Sequence, residues 1–176
     1  MSTKRIPDWK KPFFMNMCGA MDIGDSYQWI TPYVAIGDGT SSYEAFDIIV
    51  NADYPNNHIF GKKVGRREET FEKHTCSIYA LGMCDHDLET IEPFVDYLIP
   101  RLTADYKSNP ICKILFHCFA GKSRSVTLCL AFLVEVMGMS FEDGLCLIKE
   151  KRPLAEPRPL FIETLRKRYE NKPFEL

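Results

Sequence analysis

Long apolar runs are missing from this 176-residue chain: the longest uninterrupted one, Leu128 to Val134, is far too short to span a bilayer. An excess of basic residues is missing as well, because 22 Lys and Arg stand against 24 Asp and Glu, for a formal net charge of -2. Dedicated nucleic-acid binders usually carry a basic excess, so no nucleic-acid partner is expected. Internal repeats and Gly/Ser linkers are also lacking, and the length suits one ordinary domain.

A regular cysteine pattern is a further absence. The seven cysteines are odd in number, irregularly spaced and include no C-x-x-C pair. They are Cys18, Cys76, Cys84, Cys112, Cys118, Cys129 and Cys146. This usage indicates reduced thiols, mostly in the core, rather than a disulfide framework. Together with the lack of an apolar signal core or membrane anchor, it predicts a cytoplasmic location, with nuclear entry left open.

The rest of the chain alternates short apolar runs with longer helical patterns. Residues 1–27 are interpreted as an N-terminal extension, and residues 28–172 as the single folded domain. Strands are expected within 30–37, 47–52, 75–81 and 112–117, and helices at 41–46, 90–106, 125–138, 141–152 and 160–170. The charged stretch 62–69 is expected to be a solvated loop, with a docking patch for an acidic partner as the alternative. The alternation predicts an α/β single-domain fold with a central, mostly parallel five-stranded sheet flanked by helices.

Two prolines bear on the helix at 90–106. Thr90 is its expected cap, because Pro93 then falls in the first turn, where a missing N–H costs little. Pro100 is expected to kink that helix or to end it early.

The segment ILFHCFAGKSRSVTLCL, residues 114–130, combines a buried strand, a tight loop and an apolar helix. Cys118 and Arg124 lie six positions apart within it. Cys146 and Arg152 have the same spacing, but that pair follows no strand and has no glycine between its members. Context rather than spacing therefore distinguishes the first pair.

A five-residue loop between Cys118 and Arg124 can curl so that its backbone N–H groups point inward, and Gly121 permits the required conformation. With the positive end of the following helix, such a cradle binds a tetrahedral dianion without a metal. The same field stabilises a Cys118 thiolate, an in-line nucleophile for phosphorus, while Arg124 can grip two oxygens in a bidentate fork. The predicted phosphate-binding residues are Phe119, Ala120, Gly121, Lys122, Ser123 and Arg124.

HCFAGKSRS resembles the H-C-x-x-G-x-x-R-S/T signature of the protein tyrosine phosphatase superfamily, and its A-G-x-S-R-S form is most similar to the dual-specificity branch. The resemblance extends over about residues 28–170 and includes an arginine-proline turn at Arg152. It implies a two-step reaction through a phosphocysteine at Cys118, with no cofactor and no metal. Ser125 would assist the second step by hydrogen bonding the departing sulfur, and His117 would orient the loop.

The resemblance also implies a general acid, an aspartate on a separate loop. Asp85 and Asp87 both lie in GMCDHDLETIEPF, after the third predicted strand region. The family's aspartate typically precedes the following helix cap by five residues, which favours Asp85 if Thr90 is the cap. Asp87 remains the alternative.

Two positions depart from the family pattern. Arg158 stands where the family has an asparagine that braces the phosphate loop, so either the bracing is lost or a second cation is added near the site. Lys122 is more basic than is usual in protein-directed members and is interpreted as a rim residue. Under oxidation, Cys84 or Cys112 is a candidate partner for a reversible disulfide with Cys118.

The leading hypothesis is a metal-independent phosphatase for phosphotyrosine and phosphoserine/phosphothreonine in proteins, since nothing in the chain resembles the loop that deepens the pocket of tyrosine-only relatives. The expected substrate is a phosphorylated protein. The expected oligomeric state is a monomer or a weak dimer. A phosphatase for phosphoinositides or RNA 5′-phosphates is the second hypothesis, suggested by Lys122, Arg158 and the 62–67 run. The third is a phospho-binding module whose catalysis has lapsed.

Overall fold

The computed structural model describes residues 26–57, 63–85 and 91–170. Six strands of this part of the chain form one sheet. They are β1 (Tyr27–Thr31), β2 (Val34–Gly37), β3 (Ile48–Asn51), β4 (Val64–Phe71), β5 (His74–Leu81) and β6 (Ile114–His117). Their order across the sheet is β1-β2-β6-β3-β5-β4.

The four inner strands run parallel and the two outer strands run antiparallel to their neighbours. Every residue of β2, β3 and β6 is buried, as expected for strands covered by other elements on both faces. The carboxyl ends of β2, β6, β3 and β5 consequently meet at one edge of the sheet, where ligands of open α/β folds bind. This arrangement confirms the predicted α/β fold.

The predicted number of strands was wrong, because the charged stretch expected to be a loop is β4. It pairs with β5 along its whole length, from Val64 opposite Leu81 to Phe71 opposite His74. An edge strand with one free side tolerates charges that an inner strand could not, and charged edges also oppose aggregation. Arg66 lies 3.3 Å from Glu68, and Arg67 lies 3.6 Å from Glu69, so both arginine charges are offset within the strand.

Within the described residues, four long helices flank the sheet, and a single helical turn follows β3. The short one is α1 (Tyr54–Asn57), and the long ones are α2 (Glu92–Ser108), α3 (Arg124–Glu135), α4 (Phe141–Lys151) and α5 (Pro159–Glu170). Pro93 lies in the first turn of α2, as expected, but Pro100 does not end this helix, which continues for two more turns. The expected cap, Thr90, lies outside the described residues.

The helix expected at residues 41–46 is absent, and the chain forms a turn there instead. Ser41 donates its N–H to the carbonyl oxygen of Asp38, and Phe46 donates to that of Tyr43. The turn directs the Tyr43 and Phe46 rings into a small core with Ile49, on the face of the sheet opposite the long helices. The gain from burying two large rings explains why the turn prevails over a weak, short helix.

The larger core lies between the sheet and the four long helices. The first ten residues of α3, Arg124 to Leu133, are all buried, so this helix forms the centre of the layer. Its N-terminus points to the edge where the parallel strands end, and β6 leads into it through the loop of interest. Within the described ranges, no helix has both the length and the apolar character needed to cross a membrane. The predicted boundary between an extension and a domain at residues 27 and 28 stays a prediction.

Candidate active site

The loop between β6 and α3 is curled tightly and held by its neighbours. Gly121 has a φ of 67°, in the left-handed region that favours glycine. The carbonyl oxygen of Phe119 accepts a hydrogen bond of 3.0 Å from the N–H of Gly39, just after β2. The carbonyl oxygen of Lys122 accepts one of 2.8 Å from the N–H of Glu156, between α4 and α5. Because these carbonyls are bonded on the outside, the loop keeps the curl that the sequence predicts.

Cys118 lies directly after β6, at the start of this loop, and is 2% exposed. Its Sγ is 3.3 Å from Oγ of Ser125, which is buried in the first turn of α3. A hydroxyl at that distance can donate to a thiolate, which is the contact that the family resemblance implies for Ser125. The pair places a nucleophilic atom and a hydrogen-bond donor for it side by side.

The guanidinium of Arg124 joins three strand ends. Its Nη1 donates to the carbonyl oxygens of Ala52, after β3, and Met83, after β5, at 3.1 Å each. The buried Asp53 carboxylate is 3.8 Å from the same nitrogen. Backbone carbonyls and a buried charge therefore fix the orientation of Arg124 at the mouth of the loop.

Asp85, the favoured general acid, faces Arg124. Its Oδ2 accepts a hydrogen bond of 3.1 Å from Nε of Arg124, while Oδ1 is buried and receives no hydrogen bond from the described residues. The structure thus brings together Cys118, Ser125, Arg124 and Asp85, which lie on two loops 33 residues or more apart in sequence. Asp87, the alternative, lies outside the described residues.

His117 is fully buried at the end of β6, and its Nε2 is 2.6 Å from the hydroxyl of Tyr43. Burial raises the pKa of the Tyr43 hydroxyl, so this group keeps its proton. The phenol therefore fixes the orientation of the imidazole next to Cys118. Tyr43 was not identified from the sequence, because the turn that carries it was expected to be helical.

Arg152, at the end of α4, is a second residue whose contacts were not foreseen. It is 2% exposed, and its guanidinium donates to the carbonyl oxygens of Gly121 at 2.7 Å and Ala120 at 3.5 Å. It also donates to Oε1 of Gln28 in β1. The sequence marked Arg152 only as part of a resembling turn, since its contacts join residues about 30 and more than 100 positions apart.

Charge as well as geometry connects Arg152 to the nucleophile. Burial lowers the pKa of the Arg152 guanidinium, and the negative charges of Asp38 and of a Cys118 thiolate act in the opposite direction. An arginine remains protonated even so. Arg152 therefore closes the back of the loop with a buried positive charge.

The two departures from the family pattern have different surroundings. Lys122 is exposed on the rim of the loop. Arg158 donates its backbone N–H to Oγ of Ser123 at 2.9 Å, and its guanidinium donates to the carbonyl oxygen of Asp85. The bracing of the phosphate loop is therefore kept through the main chain, and the side chain of Arg158 is directed to the acid loop.

Three other cysteines, Cys76, Cys112 and Cys129, are buried. Burial raises the pKa of the Cys76 thiol to about 11 and also raises the pKa values of Cys112 and Cys129. Cys112 precedes β6 and Cys118 follows it, so roughly 20 Å of extended chain separates them. A disulfide needs Cα atoms within about 7 Å, so the suggested bond between Cys112 and Cys118 was wrong. Cys84 adjoins Asp85, and its pairing with Cys118 stays a prediction.

Comparison with known proteins assigns the family. Residues 38–172 match the catalytic domain of the dual specificity phosphatases. The chain therefore belongs to this family, the dual-specificity branch of the protein tyrosine phosphatase superfamily, and the predicted family is confirmed. A dual specificity protein phosphatase 1 of Arabidopsis thaliana is 48% identical over 52 residues, 30% of this chain and 26% of that protein. A probable dual specificity protein phosphatase of Dictyostelium discoideum is 44% identical over 54 residues, 31% of this chain and 14% of that protein. The matches thus span about a quarter or less of these relatives' length.

Solved structures agree on the fold. The crystal structure of human DUSP28 superposes with a TM-score of 0.65 at 18% identity, covering 86% of this chain and 97% of that one. PTPMT1, solved in complex with PI(5)P, superposes with a TM-score of 0.59 at 19% identity, covering 81% and 94% of the two chains. At these identities the likeness extends to the fold alone.

Replacing Gly121 by alanine tests the curled loop. An added Cβ would lie 2.6 Å from the carbonyl oxygen of Gly37 and would collide with Nη2 of Arg152, in a backbone conformation that alanine avoids. Strain of about 1–3 kcal/mol predicts a loss of vanadate affinity of roughly tenfold or more by isothermal titration calorimetry.

The matched control is Gly65→Ala in β4, where nothing lies within 4 Å of the added atom. This variant should bind vanadate like the wild type. Unchanged vanadate binding by Gly121→Ala would contradict the predicted role of the loop.

Proposed function

We propose that the protein is a metal-independent cysteine phosphatase that hydrolyses phosphotyrosine and phosphoserine/phosphothreonine in proteins through a phosphocysteine intermediate. One observation carries the proposal: Cys118, Ser125, Arg124 and Asp85 converge on a single curled loop at the carboxyl edge of the parallel strands. An acid, a nucleophile and a cation for the transferred group are the three elements that phosphoryl transfer without a metal requires.

In the first step, the Cys118 thiolate attacks phosphorus in line with the departing oxygen. A phosphorus–sulfur bond forms, the phosphorus–oxygen bond breaks, and Asp85 gives its proton to the leaving oxygen. Inward N–H groups of residues 119–123 and the guanidinium of Arg124 bind the equatorial oxygens. Nothing in this step needs a group beyond the chain and its substrate.

In the second step, a water molecule attacks the phosphocysteine. The Asp85 carboxylate takes the proton of the water, the phosphorus–sulfur bond breaks, and inorganic phosphate leaves. Ser125, whose Oγ is 3.3 Å from Sγ of Cys118, stabilises the departing thiolate by donating a hydrogen bond. The chain returns to its starting protonation state.

The ion pair between Arg124 and Asp85 implies an exchange of partners on substrate binding. A phosphoryl dianion competes with the carboxylate for Nε of Arg124, because both are acceptors for the same donor. Displacement would release the Asp85 carboxylate, which takes up a proton from the solvent and then faces the leaving oxygen as the acid. Substrate binding and positioning of the acid are thereby coupled.

Two other substrate classes remain candidates. PTPMT1, which shares the fold, was solved with PI(5)P, and the exposed Lys122 on the loop rim favours a lipid headgroup with several phosphates. An RNA 5′-phosphate is the other polyanionic candidate. A phospho-binding module with lapsed catalysis is disfavoured, because all four catalytic candidates are present.

A substrate panel tests the proposal directly. Phosphotyrosine and phosphoserine/phosphothreonine peptides, phosphoinositides and 5′-triphosphorylated RNA are incubated with the protein in excess chelator, and released phosphate is measured. We expect turnover of both peptide classes, and turnover at least about 10²-fold lower for Cys118→Ser, because a hydroxyl is a far poorer nucleophile near neutral pH.

The control for Cys118→Ser is Cys146→Ser, which changes an exposed thiol on α4 and should leave turnover unchanged. Substantial peptide turnover by Cys118→Ser would contradict the covalent mechanism. Turnover of phosphoinositides or RNA alone would retain a phosphatase and reassign its substrate.

Replacing the acid should make the rate depend on the leaving group. Peptide oxygens leave with a high pKa and need a proton, whereas an activated aryl phosphate hardly does. Asp85→Asn is expected to slow phosphopeptide hydrolysis by roughly 10²-fold or more and to slow the aryl phosphate much less. Asp87→Asn should change neither rate much, and the reverse pattern would give the acid's role to Asp87.

A further inference from the structure

Arg158 connects the phosphate loop to the acid loop. Its backbone N–H donates to Oγ of Ser123 at 2.9 Å, and its Nη1 donates to the carbonyl oxygen of Asp85. The guanidinium carbon also lies 5.8 Å from the centre of the Phe161 ring, which is buried in the first turn of α5. One residue thus contacts both loops from a fixed helix N-terminus.

The contact with Asp85 requires the length of an arginine side chain. The asparagine implied by the family resemblance carries its amide one carbon from Cα, whereas arginine places several N–H donors at the end of a long stem. Arg158 therefore performs the bracing of the phosphate loop with its main chain and leaves its side chain for a second contact. This division of roles follows from the residue that this chain carries at position 158.

The bond gains importance when substrate binds. Within the described parts of the chain, Asp85 forms two hydrogen bonds, one from Arg124 to its carboxylate and one from Arg158 to its carbonyl oxygen. The first uses the donor that a phosphoryl oxygen competes for, so it is lost or weakened at the moment of reaction. The second involves the main chain of Asp85 and leaves the carboxylate free for proton transfer.

We propose that Arg158 is a positioning residue for the general acid: it holds the main chain of Asp85 in place after the substrate phosphate displaces the carboxylate from Arg124. The inference rests on the proposed function, in which Asp85 protonates the leaving oxygen. Small misplacements of a catalytic group have large effects on rate, so an anchor at the backbone of the acid is sufficient to influence turnover.

The test compares two substrates in wild type, Arg158→Ala and Arg158→Lys. The quantity compared is kcat/KM, which reports the first step alone. For a phosphoserine peptide it should fall roughly tenfold in Arg158→Ala, by misplacement of the acid. For an activated aryl phosphate it should change by less than about twofold, because its leaving group hardly needs the proton. Vanadate affinity should stay unchanged, and Arg158→Lys should recover part of the peptide activity, since an ammonium can still donate to a carbonyl.

Arg166→Ala is the matched control, because this arginine lies on the same helix and pairs with Glu142 at the surface. It should leave both rates unchanged. A double variant supplies the readout that a purely structural role would not give. In the Asp85→Asn background the acid is already gone, so adding Arg158→Ala should cause less than about a twofold further loss of peptide activity.

The possible failures are distinguishable. An equal loss on both substrates, a loss of vanadate affinity, or full additivity with Asp85→Asn would overturn the inference and leave the phosphatase function intact. Wild-type protein inactive on both substrates would overturn the proposed function and, with it, the role of Arg158.

Discussion

The arrangement of the site depends on the hydrogen bonds and the ion pair that the Arg124 guanidinium forms. Its guanidinium donates hydrogen bonds to carbonyl oxygens just after β3 and β5 and lies near the buried Asp53. Its backbone begins α3, the helix that follows β6. Strands β3, β5 and β6 end at the same edge of the sheet, but the sheet alone does not fix the loops that follow them. A planar, permanently charged fork with donors on several sides fixes them relative to one another. Arg124 therefore brings Asp85 to the phosphate loop, and it is also the residue proposed to bind the substrate phosphate.

A second feature is that the free site satisfies its own charges. The Asp85 carboxylate pairs with the Arg124 guanidinium, and Arg152 provides a buried positive charge behind the loop. A buried arginine without a partner would be costly, so these contacts stabilise the empty site as well as the occupied one. In the proposed reaction, a phosphoryl dianion would replace the Asp85 carboxylate as the acceptor for Arg124, within a loop that is already curled. Such preorganisation is the main source of electrostatic catalysis.

The sequence predicted those parts of the molecule that local patterns determine. The phosphate loop was predictable because its strand, glycine and helix are consecutive in the sequence. The α/β class followed from alternating apolar runs. Contacts between distant segments were not predictable: Tyr43 with His117 is 74 positions apart, and Arg158 with Asp85 is 73 positions apart. Strand β4 was missed for the same reason. Its charged residues suit an edge strand as well as a solvated loop, and only the pairing with β5 distinguishes the two.

The central claim is that Cys118 carries the phosphoryl group, and trapping that intermediate tests it most directly. Replacing Ser125 by alanine removes the hydrogen-bond donor 3.3 Å from the sulfur, which should slow the second step more than the first. Rapid acid quenching of Ser125→Ala during turnover of a phosphopeptide, followed by peptide mass spectrometry, should show one added phosphoryl group on Cys118. The double variant Ser125→Ala, Cys118→Ser is the matched control, and no phosphoryl group should be found at position 118 in it. Turnover with no phosphoryl group on Cys118, or with the group on another residue, would contradict the account.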